Sequence, residues 1–263
     1  MIKFCSLYSG SSGNSLFLSS GNTKLLIDSG LSGKKIIEAL LSIGENPAEI
    51  SAILVSHEHS DHVRGVGVLS RKFDIPIYAS QGTWLGMERE IGPVSLKNKQ
   101  YFNPCNEFEI GNININAFPI PHDAREPVGF NFFVDNKKLT SATDIGHMSR
   151  RLLNFFEGSD LLLIESNHDV EMLKMGPYPW SLKKRIMGDN GHLCNEMAGK
   201  VIAYLAEKGT KYFILGHLSK ENNFPELAYQ TVCNILTEKN ISVETDIALS
   251  VAARDRADKV VQM

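Results

Sequence analysis

The hexapeptide at residues 57–62, with the sequence HEHSDH, places three imidazoles and an aspartate within six residues. Imidazole nitrogen and carboxylate oxygen suit zinc, manganese or iron, and the lack of cysteine ligands argues against a closed structural zinc site. His57 and His59 lie two residues apart on extended chain, so both can face one cation, while Asp61 and His62 turn toward a second. The hexapeptide therefore predicts a two-metal hydrolytic site. The alternative is a surface histidine cluster or a polar turn.

Other side chains that can bind a metal stand alone along the chain: Asp28, His122, Asp144, Glu165 and His217. They follow predicted strands, and strand ends that open into loops are where layered α/β folds tend to place their sites. Taken alone, His122 is equally an ordinary loop histidine, and Asp144 is equally a helix N-cap. Together with the hexapeptide they complete two metal sites, in which Asp144 is a natural bridging carboxylate.

Short apolar runs must position these side chains. The predicted strands are residues 17–19, 24–28, 52–55, 76–79, 113–117, 161–164 and 212–215, with a hairpin of residues 130–134 and 138–142. The predicted helices are residues 32–41, with Ser32 as N-cap, and residues 195–207. This alternation predicts layered sheets with helices outside. No linker or repeat interrupts it, so we expect one domain over residues 1–263.

Composition narrows the class of protein. The chain is 43% hydrophobic and 22% charged, as is typical of a globular protein, and its net charge of −3 argues against unspecific polyanion binding. It has neither an apolar run long enough to span a bilayer nor a signal peptide pattern, so no membrane association and a cytoplasmic location are expected. Four widely spaced cysteines predict reduced thiols rather than a disulfide framework.

The ordered set of metal-competent residues resembles the metallo-β-lactamase superfamily. The matching residues are Asp28, His57, His59, Asp61, His62, His122, Asp144 and His217. The resemblance implies an α/β (α+β) four-layer αβ/βα sandwich with two divalent ions at one edge between its sheets. It implies that His57, His59 and His122 bind one ion. It also implies that Asp61, His62 and His217 bind the other, that Asp144 bridges the two ions, and that Asp28 orients ligands.

The metallo-β-lactamase fold hosts hydrolysis of thioesters, lactams, lactones and phosphodiesters. Two further motifs narrow the choice among these substrates. The segments at residues 165–169 (ESNHD) and 191–195 (GHLCN) resemble motifs of phosphodiesterase members such as the tRNA 3′-processing enzymes. By that likeness Glu165 orients His192, which protonates the leaving oxygen. The alternative for His192 is a helix N-terminal residue without chemistry. The motifs do not fix the roles of His147 and His168. We expect His168 to contact substrate.

Together with the small-residue segment at residues 9–15 (SGSSGNS), these motifs most closely resemble the bacterial YycJ/WalJ group. That resemblance implies a 5′-to-3′ exodeoxyribonuclease linked to DNA repair or cell-wall homeostasis. Where the group's pattern has serine, this chain has Cys194, which puts any hydroxyl contact there in doubt. A metal-bridging hydroxide, oriented by Asp61, is then expected to attack phosphorus.

Residues expected to hold the nucleic acid, with DNA favoured over RNA, are Ser12, Asn14, Lys183 and Arg185. The alternatives are a plain hairpin turn for the serine-glycine segment and a solvated face for the basic residues. For the whole protein, the alternatives are a small-molecule metallohydrolase, an RNA-processing nuclease, or a non-catalytic binding protein. The ligand set accepts Zn²⁺, Mn²⁺ or Fe²⁺.

Overall fold

A computed structural model describes residues 1–263. The strands are β1 Ile2–Tyr8, β2 Ser15–Ser20, β3 Thr23–Ile27, β4 Ala52–Leu54, β5 Ile77–Ala79, β6 Lys99–Tyr101, β7 Glu107–Ile110, β8 Ile113–Pro119, β9 Val128–Val134, β10 Lys137–Ala142, β11 Leu161–Glu165, β12 Tyr212–Gly216, β13 Ala248–Val251 and β14 Val261–Gln262. The helices are α1 Gly33–Ser42, α2 Ser60–Val63, α3 Val66–Phe73, α4 Gln81–Ile91, α5 Arg150–Phe156, α6 Val170–Met175, α7 Trp180–Met187, α8 Asn195–Glu207 and α9 Pro225–Glu238. Short 3₁₀ helices occur at Pro47–Glu49 and Leu96–Asn98.

The chain forms two compact units. The first consists of Met1–Pro119, Ala124–Val128 and Ala253–Met263, and the second of Ile120–Asp123 and Gly129–Ala252. The expectation of a single domain over residues 1–263 stays a prediction. None of the helices is long and apolar enough to cross a membrane.

The first unit contains a sheet in the order β14-β1-β2-β3-β4-β5-β6. Strands β1 to β3 are antiparallel, and β3 to β6 run parallel. Each residue of β4 is fully buried, as expected for a short apolar strand between parallel neighbours. Helix α1 is capped by Ser32, whose side chain accepts a hydrogen bond from the Lys35 amide, and the helix buries Ile36 and Leu40. Strands β7 and β8 pair with each other in an antiparallel arrangement.

In the second unit the strands follow the order β13-β12-β11-β10-β9. Strands β10 to β13 are parallel, and β9 pairs antiparallel with β10. The turn between β9 and β10 is made by Asp135 and Asn136, with φ values of 49° and 60°. Two successive positive φ values belong to the type I′ turn, whose twist suits a two-residue hairpin. The predicted hairpin is therefore confirmed.

The strands predicted from apolar runs are confirmed as β2, β3, β4, β5, β8, β11 and β12. The helix predicted at residues 195–207 is confirmed as α8 with the same bounds. Both units combine parallel strands with helices, so the predicted α/β class is also confirmed.

Candidate active site

Three predicted site residues have the same unusual backbone conformation at the ends of parallel strands. Asp28 directly follows β3, Asp144 lies two residues after β10, and His217 directly follows β12. Their φ values are 59°, 63° and 53°. Left-handed backbone is uncommon in residues other than glycine and is concentrated at functional sites, where the surrounding structure holds it in place. Six further residues other than glycine share this conformation, so it shows that the surrounding structure holds these three positions, while their side chains indicate the site.

In the first unit, the imidazoles of the hexapeptide come together. The ring of His57 lies 4.0 Å from that of His62 and 4.7 Å from that of His59, measured between centroids. His57 and His62 are buried, while His59 and Asp61 are half-buried at the start of helix α2. The chain is extended after β4 and then enters helix α2. Residues that are close in sequence therefore place several metal-binding atoms near one another.

Asp28 fixes the orientation of His62. The Nδ1 atom of His62 lies 2.8 Å from Asp28 Oδ2, and both side chains are buried. Because a carboxylate only accepts, Nδ1 carries the proton and Nε2 is left as the metal-binding nitrogen. A carboxylate behind a ligating imidazole is the arrangement that sets its tautomer and basicity.

Ser56 is a further member of this group to which no sequence motif pointed. Its amide and its hydroxyl donate to the two Asp28 carboxylate oxygens, each at 2.8 Å. Its hydroxyl also lies 3.0 Å from Nδ1 of His57. One serine therefore links Asp28 to the first imidazole of the hexapeptide. Its position directly before His57 is the only signal that the sequence offers.

Asn14, from the serine-glycine segment, contacts the same group. Its amide nitrogen Nδ2 lies 3.1 Å from His62 Nε2 and 3.5 Å from Asp61 Oδ2. Its backbone amide donates to the carbonyl oxygen of Asp61 at 2.8 Å. The serine-glycine segment is thus the turn of the antiparallel β1–β2 hairpin, and Asn14 also joins it to the loop of Asp61. Ser12 is exposed. Substrate contacts of Ser12 and Asn14 stay predictions.

Gly30 permits the close approach of this loop. A Cβ at Gly30 would lie 1.6 Å from the carbonyl oxygen of Asp61 and 2.7 Å from the amide nitrogen of Asn14. We expect Gly30→Ala to lower the free energy of unfolding by about 1–3 kcal/mol, because the Asp61 backbone must shift. Urea denaturation measures this. Gly188→Ala is the matched control, since its Cβ would be no closer than 3.1 Å to any neighbour. Equal effects of the two substitutions would contradict the packing argument.

In the second unit, Asp144 is the centre of a group of buried donors. Its Oδ2 lies 2.9 Å from Nδ1 of His217, and its Oδ1 lies 3.7 Å from Nε2 of His122. One ligand atom from each of Asp144, Glu165, His192 and His217 fits within 4.8 Å of the others. Oxygen and nitrogen donors at such spacing can share one divalent cation with bonds of about 2.0–2.2 Å. Of this group, Asp144 and His217 therefore fit a metal ion, while Nδ1 of His192 is bonded to Glu165.

His122 has the tautomer that a metal ligand needs. Its Nδ1 donates to the carbonyl oxygen of Gly191 at 3.1 Å, which leaves Nε2 as the acceptor. Burial lowers the pKa of His122 below its ordinary value, against the raising effect of Asp144. A neutral imidazole is the form that binds a metal.

Glu165 joins the segments that carry the other functional residues. Its Oε1 accepts a 2.8 Å hydrogen bond from Nδ1 of His192, and its Oε2 accepts bonds from the amides of Ile145 and Leu193 at 2.7 and 3.0 Å. The carboxylate is fully buried at the end of β11. Sequence motifs indicated the contact with His192. The bond to Ile145, which also fixes the loop of Asp144, was not indicated.

The environment of His192 favours its charged form. Burial opposes the charge on the imidazole, but the carboxylate of Glu165 and the hydrogen bond to it outweigh burial and raise the pKa of His192 to about 9. The ring is therefore protonated at neutral pH. A protonated imidazole beside a cluster of metal ligands is suited to donate a proton to a leaving group.

Buried asparagines hold these segments together. Nδ2 of Asn223 donates to the Ser166 carbonyl and to the Asn195 side chain, and Nδ2 of Asn167 donates to the carbonyl oxygen of His217 at 3.0 Å. All five of these residues are buried. Asn167 and Asn195 belong to the motifs seen in the sequence, whereas nothing in the sequence pointed to Asn223.

Cys194 is the N-cap of α8, but its side chain makes no capping hydrogen bond. Serine is among the residues best suited to cap a helix at this position, and a thiol is a weak hydrogen-bonding group. Burial raises the pKa of the Cys194 thiol, so the thiol is neutral at pH 7. His192, two residues earlier, keeps its bond to Glu165.

The basic residues predicted to hold phosphates are placed differently from one another. Lys183 is buried, and its amine donates to the carbonyl oxygen of Lys174 at 2.7 Å. Arg185 is exposed and pairs with Asp123 through two contacts of 2.5 and 3.0 Å. Phosphate contacts of both residues stay predictions.

Comparison with known proteins identifies the class. A family model described as a beta-lactamase superfamily domain matches residues 23–218, so the chain belongs to this superfamily. A crystal structure of the metallo-beta-lactamase fold protein YhfI from Bacillus subtilis superposes with a TM-score of 0.73 at 16% identity, covering 97% of this chain and 98% of that one. The predicted metallo-β-lactamase fold is confirmed.

Within the superfamily, the chain is similar to two named exodeoxyribonucleases. It is 45% identical to exodeoxyribonuclease YycJ of Bacillus anthracis over 243 residues, which is 92% of each chain. It is 42% identical to exodeoxyribonuclease WalJ of Streptococcus pneumoniae serotype 2 over 263 residues, covering 99% of this chain and 98% of that protein. The resemblance to the YycJ/WalJ group is confirmed, and the chain is a metal-dependent hydrolase.

Proposed function

We propose that this protein is a dinuclear-metal phosphodiesterase that removes nucleotides from the 5′ end of DNA. The observation that carries the proposal is the hydrogen bond between buried Glu165 and half-buried His192 beside Asp144, because a polarised imidazole next to metal ligands serves a poor alkoxide leaving group. Thioesters and lactams need the metals but not such an acid. The names of YycJ and WalJ support DNA as the substrate.

The ligand sets of this proposal come from the superfamily resemblance. His57, His59 and His122 would bind one ion, and Asp61, His62 and His217 the other, with Asp144 shared by both. When bound, such ions lower the pKa of water to about 7 and stabilise negative charge on the phosphoryl oxygens. The orienting bonds within each unit, from Asp28 to His62 and from His122 to Gly191, leave Nε2 of each ring as the donor.

The residues of the chain itself carry out the proton transfer. His192 donates its proton to the departing 3′-oxygen, and Glu165 holds the ring in place and stabilises its charge. Asp61 orients the attacking water. The bond from the Leu193 amide to Glu165 prevents the His192 segment from swinging away from its carboxylate partner.

The experiment is digestion of end-labelled single- and double-stranded DNA and RNA, with and without a 5′-phosphate, in Mn²⁺ or Zn²⁺. We expect mononucleotides to be released from the 5′ end of DNA and EDTA to abolish the reaction. Release from RNA 3′ trailers alone would make the protein an RNA-processing nuclease. Hydrolysis of thioester, lactone or lactam with no action on nucleic acid would make it a small-molecule hydrolase.

The same resemblance leads us to propose a role in DNA repair or cell-wall homeostasis. A strain that lacks the gene should then be more sensitive to DNA-damaging agents or to cell-wall antibiotics than its parent. A chain carrying His192→Ala should fail to restore resistance. Full restoration by this variant would show that the role does not depend on hydrolysis.

A further inference from the structure

The second unit contains a cavity of about 360 Å³ that His192 helps to line. Its other walls include the thioether side chains of Met148, Met187 and Met197 and the imidazole of His168. The volume falls within the roughly 300–1,000 Å³ typical of small-molecule sites. The cavity therefore adjoins the residue to which we assign protonation of the leaving group, and its size suits part of a substrate.

His168, which helps to line the cavity, has an unsatisfied polar atom in its ring. The residue is 2% exposed, and its Nδ1 has no hydrogen-bond partner. Its backbone is fixed, because its carbonyl oxygen accepts a 2.9 Å bond from the amide of Asn195. Burial lowers the pKa of His168 to about 4, so the ring is neutral. A buried polar atom without a partner is costly, and a rotation of the ring toward the cavity would let a ligand supply that partner.

The lining identifies the chemical class of the occupant. No lysine, arginine, aspartate or glutamate lines the cavity, and the one cationic ring on its wall, His192, is already assigned to the leaving group, so the other walls offer no partner for a phosphate. Methionine packs well against aromatic rings and adapts to different shapes. A flat, neutral heteroaromatic group with a hydrogen-bonding edge matches these walls. Nucleobases have these properties, and the flexible thioethers suit a site that must accept each of the four.

We propose that this cavity binds the base of the 5′-terminal nucleotide, the one that departs in each cycle. This inference rests on the proposed function. In the reaction a water oxygen bonds to phosphorus and the water releases a proton to solvent, the bond from phosphorus to the terminal 3′-oxygen breaks, and that oxygen takes the proton of His192, which solvent then restores. The shortened strand keeps the phosphate. The nucleotide that leaves is therefore the one beside His192, and its base enters the adjoining cavity, where His168 meets its edge.

The test compares two oligonucleotides that differ only in whether the 5′-terminal sugar carries thymine or no base. For the wild-type holoenzyme we expect kcat/KM to be about tenfold or more higher with the base, as for other base-binding pockets. Met197→Trp fills the cavity and should bring the ratio close to one by raising KM for the natural end. Met175→Trp is the matched control, since Met175 is 85% exposed and lies outside the cavity. It should leave the ratio unchanged.

Binding of thymidine 5′-monophosphate, followed by saturation-transfer NMR, separates this inference from the proposed function. We expect binding that weakens in Met197→Trp and His168→Ala, with thermal unfolding as the check that both variants fold. DNA hydrolysis with equal rates on the two oligonucleotides would overturn the cavity assignment alone. No DNA hydrolysis, but base-dependent binding lost in Met197→Trp, would overturn the proposed function alone. Neither hydrolysis nor binding would overturn both.

Discussion

Replacing His192 with alanine is expected to slow hydrolysis of a DNA phosphodiester by about 10²–10⁴-fold, the usual contribution of a general acid. The leaving 3′-oxygen is a strongly basic alkoxide, and without a proton donor it departs slowly. Steady-state rates on a 5′-labelled oligonucleotide, with the metal content of each preparation measured in parallel, give the effect on turnover.

A substrate with a better leaving group separates proton donation from other roles of this histidine. In bis(p-nitrophenyl) phosphate the leaving nitrophenolate needs no proton, so His192→Ala should slow its hydrolysis far less than that of DNA. Glu165→Gln should act in the same direction, because the carboxylate that holds and charges the His192 ring is lost. Equal losses on both substrates, or a loss of bound metal, would mean that His192 does not serve as the acid.

Much of the donor set could be predicted because it is local in sequence. The hexapeptide at residues 57–62 combines its donors within one strand end and one short helix, so spacing alone was enough to indicate a metal site. Asp144 and His217 were predicted because each follows a strand that can be recognised in the sequence from its run of apolar residues. Helix α8 was predicted because its apolar residues repeat at helical spacing after a recognisable start.

The residues that hold the donors in place were harder to predict, because their roles depend on contacts between distant segments. Ser56 bonds to a carboxylate 28 residues away, and Asn223 bonds to Asn195 at a separation of 28. Neither residue type is unusual in a loop. Strand β1 was not predicted for a related reason. Its polar Ser6 is buried in the folded chain, so the residues of this strand do not alternate between polar and apolar as those of a half-buried strand would.

Positive φ at Asp28, Asp144 and His217 could not be predicted either, since nothing about these residue types demands it. Aspartate tolerates the left-handed region better than most residues, while histidine there is less common. The conformation is imposed by the surrounding strand ends and loops. The types of the site residues could thus be identified from the sequence, whereas the backbone conformation that orients their side chains depends on the folded chain.

Replacing Asp144 with asparagine is expected to have the other large effect, because the substitution keeps the shape of the side chain and removes its charge. We expect fewer divalent ions per chain after dialysis and a loss of activity of about a thousandfold or more, since a catalytic metal contributes several kcal/mol. Elemental analysis and rates on the labelled oligonucleotide measure the two effects.

Asp74→Asn is a closely matched control for this substitution. Asp74 also has left-handed backbone, with a φ of 57°, so asparagine is equally tolerated at both positions. Its carboxylate pairs with the exposed Lys97 on the surface rather than with donors to a metal. Metal content and turnover should therefore be unchanged in Asp74→Asn. If Asp144→Asn also kept both, Asp144 would not be a shared metal ligand, and the dinuclear assignment would need a different bridging group.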